Sequence, residues 1–248
     1  LVKALYSAAS GMIGQQLRQE AVANNIANVS TTGYKKAIPA QRGFYQIFLD
    51  AIAIDNLRPG DVPGGGMLLD ATASDFSQGN IKHTREPLDV ALDGPGFLVV
   101  EGPAGNKLYT RSGHFALNQD GELVTENGYK VQGEGGAISA AGANIMISDD
   151  GRVVVDGAER GVLQVVTFED ARVLTRVGDT MFAAPENVFP SIAEPVKMVS
   201  GALESSNISI AREMMDMLVT ARNFEANQRV ILAVDSTLDK TINDVGRT

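Results

Sequence analysis

Two apolar ladders, one at each end of the chain, constrain its fold more than any other feature. Alternating steps of four and three residues from Leu1 land on Leu5, Ala8, Met12, Gln15, Gln19, Val22, Ile26 and Val29. The same steps from Ile210 land on Met214, Met217, Ala221, Phe224, Gln228, Ile231, Asp235, Leu238, Ile242 and Val245. A mean step of 3.5 residues is the spacing of a coiled-coil seam. No proline interrupts either stretch. The first helix should stop at the turn formers Ser30-Thr31-Thr32-Gly33. The last should run from about residue 208 to about 245, with Ser205, Ser206, Asn207 and Ser209 as N-cap candidates. At 1.5 Å per residue these helices measure roughly 42 and 55 Å. Gln15, Gln19, Gln228 and Asp235 interrupt the seams, and polar groups at such positions set register and partner at a cost in stability. The expected architecture is α+β, with long N- and C-terminal helices paired as a coiled-coil-like domain and an antiparallel β-rich middle.

The middle has a different rhythm. Strand-like runs fall at Phe97–Glu101, Lys107–Thr110, His114–Leu117, Glu122–Thr125, Tyr129–Gln132, Asn144–Ile147, Arg152–Val155 and Gly161–Phe168. Asp120-Gly121, Asn127-Gly128, Asp150-Gly151 and Asp156-Gly157 punctuate them, and such pairs supply the positive φ of tight hairpins. Two connectors complete the chain. Residues 31–80 carry an apolar patch (Phe44, Tyr45, Ile47, Phe48, Leu49) followed by Pro59-Gly60 and Pro63-Gly64-Gly65-Gly66. Residues 183–206 carry Pro185, Pro190 and Pro195 and read as an extended return. The expected divisions are 1–30, 31–80, 81–182, 183–206 and 207–248.

Charge and chemistry narrow the function. Net charge is −9, with residues 1–36 at +3 and residues 208–248 at −1, which leaves the middle at −11. That balance argues against nucleic acid, whose phosphates call for lysine and arginine. The chain has no cysteine, so thiol nucleophiles and Cys–zinc sites are absent. No run of 18 apolar residues is present, so no transmembrane segment is expected. No Lys/Arg-led apolar core with a cleavage site is visible, so no removable secretory signal is expected. His83 and His114 are isolated, Asp149-Asp150-Gly151 reads as a turn, and no Gly-x-Ser-x-Gly elbow or phosphate-binding loop occurs. Neither a catalytic constellation nor a cofactor or metal site is expected. The cluster Asn24, Asn25, Asn28 stands out, because asparagine side chains compete with helical backbone bonds. They bond neighbouring chains, cap the helix end, or mark simple fraying.

Several segments carry a family resemblance. Ala23-Asn24-Asn25-Ile26-Ala27-Asn28-Val29-Ser30-Thr31-Thr32-Gly33-Tyr34-Lys35 resembles the N-terminal signature of flagellar basal-body rod and hook proteins. The likeness continues at Asp75–Asn80, Pro87–Leu92, Gly96-Phe97, Tyr109–Gly113, Gly128-Tyr129, Gly201–Asn207 and Phe224–Gln228, and so covers nearly the whole chain. Within the family, the compact length, Gly133–Ile138 and the ending from Thr237 to Arg247 look most like the proximal-rod branch, with the distal-rod branch next. The resemblance implies a non-enzymatic structural subunit of the rod, a helical polymer that transmits torque from motor to hook. It implies assembly with itself and other rod proteins, and passage through the flagellar type III export apparatus without a cleaved signal. It also implies a periplasmic place in the basal body and contact with surrounding ring proteins. In this family the terminal helices form an inner tube domain around the export channel and the β domain faces outward. The expected interface residues are Leu5, Ala8, Met12, Val22, Asn24, Asn25, Ile26 and Asn28, with Met214, Met217, Phe224, Asn227, Gln228, Ile231 and Leu238. Two other readings remain: a cell-wall hydrolase with helical docking arms, and an adhesin or chaperone that closes into a trimer.

Overall fold

The computed structural model describes residues 2–43, 67–103, 105–142, 144–192 and 197–245. The apolar patch Phe44–Leu49, both Pro-Gly segments after it, and Pro195 lie outside the described residues. The chain divides into two units: residues 1–26, 37–73 and 209–248 form one, and residues 27–36 and 74–208 form the other.

The first unit holds the two long helices, α1 (Val2–Ala27) and α2 (Ile210–Val245), with the paired strands Ala37–Gly43 and Met67–Ser74. Both helices lie where the ladders put them, but the coiled-coil-like pairing is not there. The contacts between them include polar ones. Asn25 Nδ2 donates to Glu213 Oε2 at 3.1 Å, and Arg18 Nη2 lies 3.9 Å from Asp216 Oδ1. A Cβ added at Gly11 would sit 3.0 Å from the Asn227 amide nitrogen. Part of each ladder is displaced by one residue. The buried positions of α2 are Glu213, Thr220 and Val234, where the ladder has Met214, Ala221 and Asp235. On α1 the buried neighbour of Ile26 is Asn25. Leu5 (40% exposed), Met214 (57%) and Leu238 (36%) stand in the open. Knobs-into-holes packing needs bulky apolar side chains at both seam positions. Gly11, Asn25, Glu213 and Asn227 cannot supply them.

The second unit is built from antiparallel strands, as expected. Its main sheet centres on Phe97–Glu101. That strand pairs with Lys107–Thr110 (Val99 opposite Tyr109), Lys130–Gly133 (Val100 opposite Val131) and Val165–Thr167 (Val165 opposite Leu98). Ile145–Ile147, Arg152–Val155 and Ala158–Val162 form a separate three-stranded sheet. Two short pairs bring distant chain together: Val90–Asp93 with Lys197–Ser200, and Ile81–His83 with Ala202–Glu204.

The central strand explains its own sequence. Alternate side chains of a strand point to opposite faces. Leu98 and Val100 enter a core with Leu108, Leu123, Val131 and Val153. Phe97 and Val99 enter a second core with Tyr109, Val166, Leu174 and Phe182. A strand covered on both faces needs a continuous apolar run, and Phe-Leu-Val-Val is that run. The turns follow the Asx-Gly signals: Asp156 and Gly157 take φ of +50° and +81°, the pair of positive angles a two-residue hairpin requires.

One tight approach in this unit is testable. A Cβ at Gly113 would fall 1.8 Å from the Val90 carbonyl oxygen, whereas one at Gly135 would meet nothing within 4 Å. Gly113→Ala should destabilise the chain by about 1–3 kcal/mol in urea unfolding. Gly135→Ala should stay within about 0.5 kcal/mol of the parent.

Candidate functional site

The segments that carry the family resemblance meet at one place in the second unit. Residues 32–36, 75–79, 109–113 and 201–207 converge on the carboxylate of Glu204. Glu204 is drawn there by alternation: in the strand Ala202–Glu204, Ala202 and Glu204 face inward together. Lys35 Nζ donates to Glu204 Oε1 at 2.6 Å and to the Ser77 carbonyl at 2.7 Å. The Gly79 amide donates to the same Oε1 at 2.7 Å. Arg111 Nη1 approaches Oε2 at 3.5 Å. The Gly33 amide donates to the Glu204 carbonyl at 2.8 Å. Asn207 ties the next layer: its Oδ1 accepts from the Lys36 amide at 2.8 Å, and its Nδ2 donates to the Asp75 carbonyl at 2.8 Å.

An aromatic layer backs this knot. The Arg176 guanidinium lies 4.6 Å from the Tyr34 ring centre and 5.2 Å from that of Phe182. Its Nη2 donates to the Lys35 carbonyl and to Ser74 Oγ. Arg111 lies over Phe97 at 5.4 Å. Phe76 meets Phe97 and Phe182 edge-on, with ring centres 5.2 and 4.9 Å away.

Burial sets the electrostatics. Lys35 and Glu204 are each 1% exposed and Arg111 4%. Removal from water pushes the Lys35 ammonium below the ordinary lysine range, and the Glu204 carboxylate offsets only part of that. Burial lowers Arg111 in the same way. A buried ion cluster of this kind adds little net stability, because desolvation consumes most of the Coulomb gain. Its effect is positional: only the arrangement that satisfies both oxygens of Glu204 avoids a stranded charge.

The expected interface residues have mixed fates. Asn25 is 1% exposed. Its side chain bonds both ways with Ala37, accepting from the amide and donating to the carbonyl at 2.9 Å each. It pins the chain after the helix rather than fraying. Asn28 Oδ1 accepts from Thr31 Oγ1 at 3.2 Å, while Asn24 is exposed. Ala8 and Val22 are buried. Met12, Ile26, Met217, Phe224, Asn227 and Ile231 are half-buried, and Gln228, like Leu5, Met214 and Leu238, is exposed. His114 is structural: its Nδ1 lies 2.7 Å from Asp89 Oδ1. The apolar ladders do not mark Lys35, Arg111, Glu204 or Asn207. Their signal was a set of charged and amide residues inside short segments rich in glycine, serine and threonine.

Among the described residues no helix is long and apolar enough to cross a membrane. Long terminal helices with large apolar side chains outward, joined to a cross-braced β unit, define a structural assembly subunit. Residues 5–35 match the family described as "Flagella basal body rod protein". Residues 91–155 match "Flagellar hook protein FlgE/F/G D1 domain", and residues 199–244 match "Flagellar basal body rod FlgEFG protein C-terminal". The chain is 36% identical to the flagellar basal-body rod protein FlgG of Borreliella burgdorferi, over 96% of this chain and 97% of that one. It is 33% identical to FlgG of Buchnera aphidicola subsp. Baizongia pistaciae, over 97% and 98%. It is 30% identical to the flagellar hook-basal body complex protein FlhO of Bacillus subtilis, over the full length of both. The chain belongs to the flagellar basal-body rod protein family and is a structural subunit of the rod.

The knot predicts its own failure. Glu204→Gln removes the shared anion and leaves two buried cations, so it should lower unfolding free energy by about 3–5 kcal/mol. Lys130→Met breaks a pair that is half-exposed on the lysine side and should cost under about 1 kcal/mol by the same denaturation measurement.

Proposed function

We propose that this rod subunit polymerises helically, through contacts that do not close on themselves, into the shaft that carries torque from motor to hook. The observation that supports this most is the apolar face of α2. Met215, Leu218 and Leu232 are 60% or more exposed, and Leu218 and Leu232 lie about four turns apart on one line of the helix. Ile13 on α1 is 59% exposed. Exposed apolar area on this scale marks an interaction surface, and heterologous contacts of one subunit on the next build open filaments.

In this reading residues 1–30 and 207–248 form the inner tube domain around the export channel, with Met214, Leu238 and Leu5 covered by neighbouring subunits. Residues 31–80 connect, residues 81–182 form the outer β domain, and residues 183–206 return. The subunit is not an enzyme; it works by shape and contact. It leaves the cytoplasm through the flagellar export apparatus without a cleaved signal, stands in the periplasm, and meets other rod proteins and the encircling ring proteins.

Electron microscopy of purified basal bodies carrying a labelled subunit should place the label in the shaft, at its proximal end if the branch likeness holds. A shaft without label would sink the reading. Leu218→Glu should abolish swimming while leaving the urea unfolding free energy of the purified chain within about 0.5 kcal/mol of the parent, since the residue is exposed there.

A further inference from the structure

The second unit has an open cleft of about 220 Å³ that the buried knot does not fill. Phe76, Phe97 and Phe168 line it, with Pro95, Thr167 and Arg111. These rings already meet edge-to-face: Phe97 and Phe168 centres lie 5.8 Å apart at 67°. Arg111 is 4% exposed, yet its Nε–H has no hydrogen-bond partner. Its charge is also weakly answered, because it shares Glu204 with Lys35 and takes the longer contact, 3.5 Å against 2.6 Å. The cleft thus asks for an aromatic side chain accompanied by a carboxylate.

The same unit displays one. Phe189 is 84% exposed, the barest large apolar side chain among those described. It sits in Pro185-Glu186-Asn187-Val188-Phe189-Pro190, where the Val188 amide closes a turn on the Pro185 carbonyl at 3.0 Å. The two prolines restrict the backbone, so little freedom is lost on docking. Glu186 is exposed on the same turn. At this exposure Phe189 does not occupy its own chain's cleft.

We propose that Phe189 of one subunit inserts among Phe76, Phe97 and Phe168 of a second copy of this chain, with Glu186 answering Arg111. The inference rests on the rod reading and names one contact within it. Phe189 is not among the residues lining its own chain's cleft, and within the rod reading the contact repeats from one subunit to the next. The inserted ring continues the edge-to-face network. The carboxylate gives the Arg111 Nε–H the acceptor it lacks.

The chain has no cysteine of its own, so an engineered pair reads cleanly. Phe189→Cys and Pro95→Cys are introduced together into the full-length protein in flagellated cells. Basal bodies are isolated, oxidised or treated with a short bis-maleimide, and run without reductant. The expected result is a ladder of multimers that requires both cysteines. Cross-links confined to single chains, or none in rods that contain the subunit, would overturn the contact. Absence of the subunit from rods would instead defeat the rod reading beneath it. A second arm is Phe189→Asp, which should leave the purified chain's unfolding unchanged and weaken subunit association by about 30-fold, as loss of an interface anchor does. Unchanged association would equally overturn the proposal.

Discussion

Glu204 is the point on which the second unit depends. Its two carboxylate oxygens hold Lys35, the Gly79 amide and Arg111, and its carbonyl holds Gly33. Arg111, Gly79 and Lys35 lie 93, 125 and 169 positions from Glu204 in the sequence. Gly79 precedes the strand Ile81–His83 and Glu204 ends the strand Ala202–Glu204, while Arg111 follows the strand Lys107–Thr110 inside the β body. A hydrophobic contact at this spot would tolerate sliding, because apolar attraction has no direction. A carboxylate shared by a lysine, an arginine and an amide does not slide, since any displacement leaves a buried charge or N–H unpaired. The same logic explains Gly79: a Cβ there would lie 1.8 Å from the Ser205 carbonyl oxygen, so only glycine lets the two segments close around the ion pair. For a structural subunit, register here matters more than the small net energy of the cluster.

The β body was legible because its signals are local. Asp156-Gly157 and Asn127-Gly128 specify turns through positive φ, and the run Phe97–Val100 specifies a doubly covered strand. Neither needs knowledge of a distant partner. The helices were legible as helices for the same reason. Their partner face was not. In α2 apolar residues occur at Met214, Met215, Met217, Leu218 and Val219, so two overlapping stripes compete and periodicity alone cannot say which is buried inside the subunit. The structure buries Glu213 and Thr220, with Met217 half-covered beside them. The deciding information was pairwise: Glu213 is inside because Asn25 is opposite.

The knot shows the converse. The segments that contain it were recognisable by family likeness, yet the likeness alone did not say which of their residues bear on one another. Lys35 and Glu204 are 169 positions apart, and charged residues are ordinarily read as surface. A weak clue was present in Ala202-Leu203-Glu204, where alternation sets a charge beside a buried alanine. Asn25 carried a stronger one, since an asparagine late in a helix usually serves a backbone group beyond it. Here it replaces a strand partner for Ala37.

These two polar devices bear on assembly through what they leave free. If the ladders of α1 and α2 had closed on each other as an apolar seam, the subunit would have satisfied its own helices and kept nothing for a neighbour. Instead a directional hydrogen bond joins Asn25 to Glu213, with Arg18 lying 3.9 Å from Asp216, and such contacts need little apolar area. Met214, Met215, Leu218 and Leu232 are thereby left outward. At roughly 25 cal/mol per Å², such side chains stabilise contacts between subunits only if they are still bare when subunits meet. Polar bonds within the chain and apolar surface between chains are thus complementary uses of the same two helices. That arrangement suits a part that must first exist as a separate chain and then become one element of a shaft.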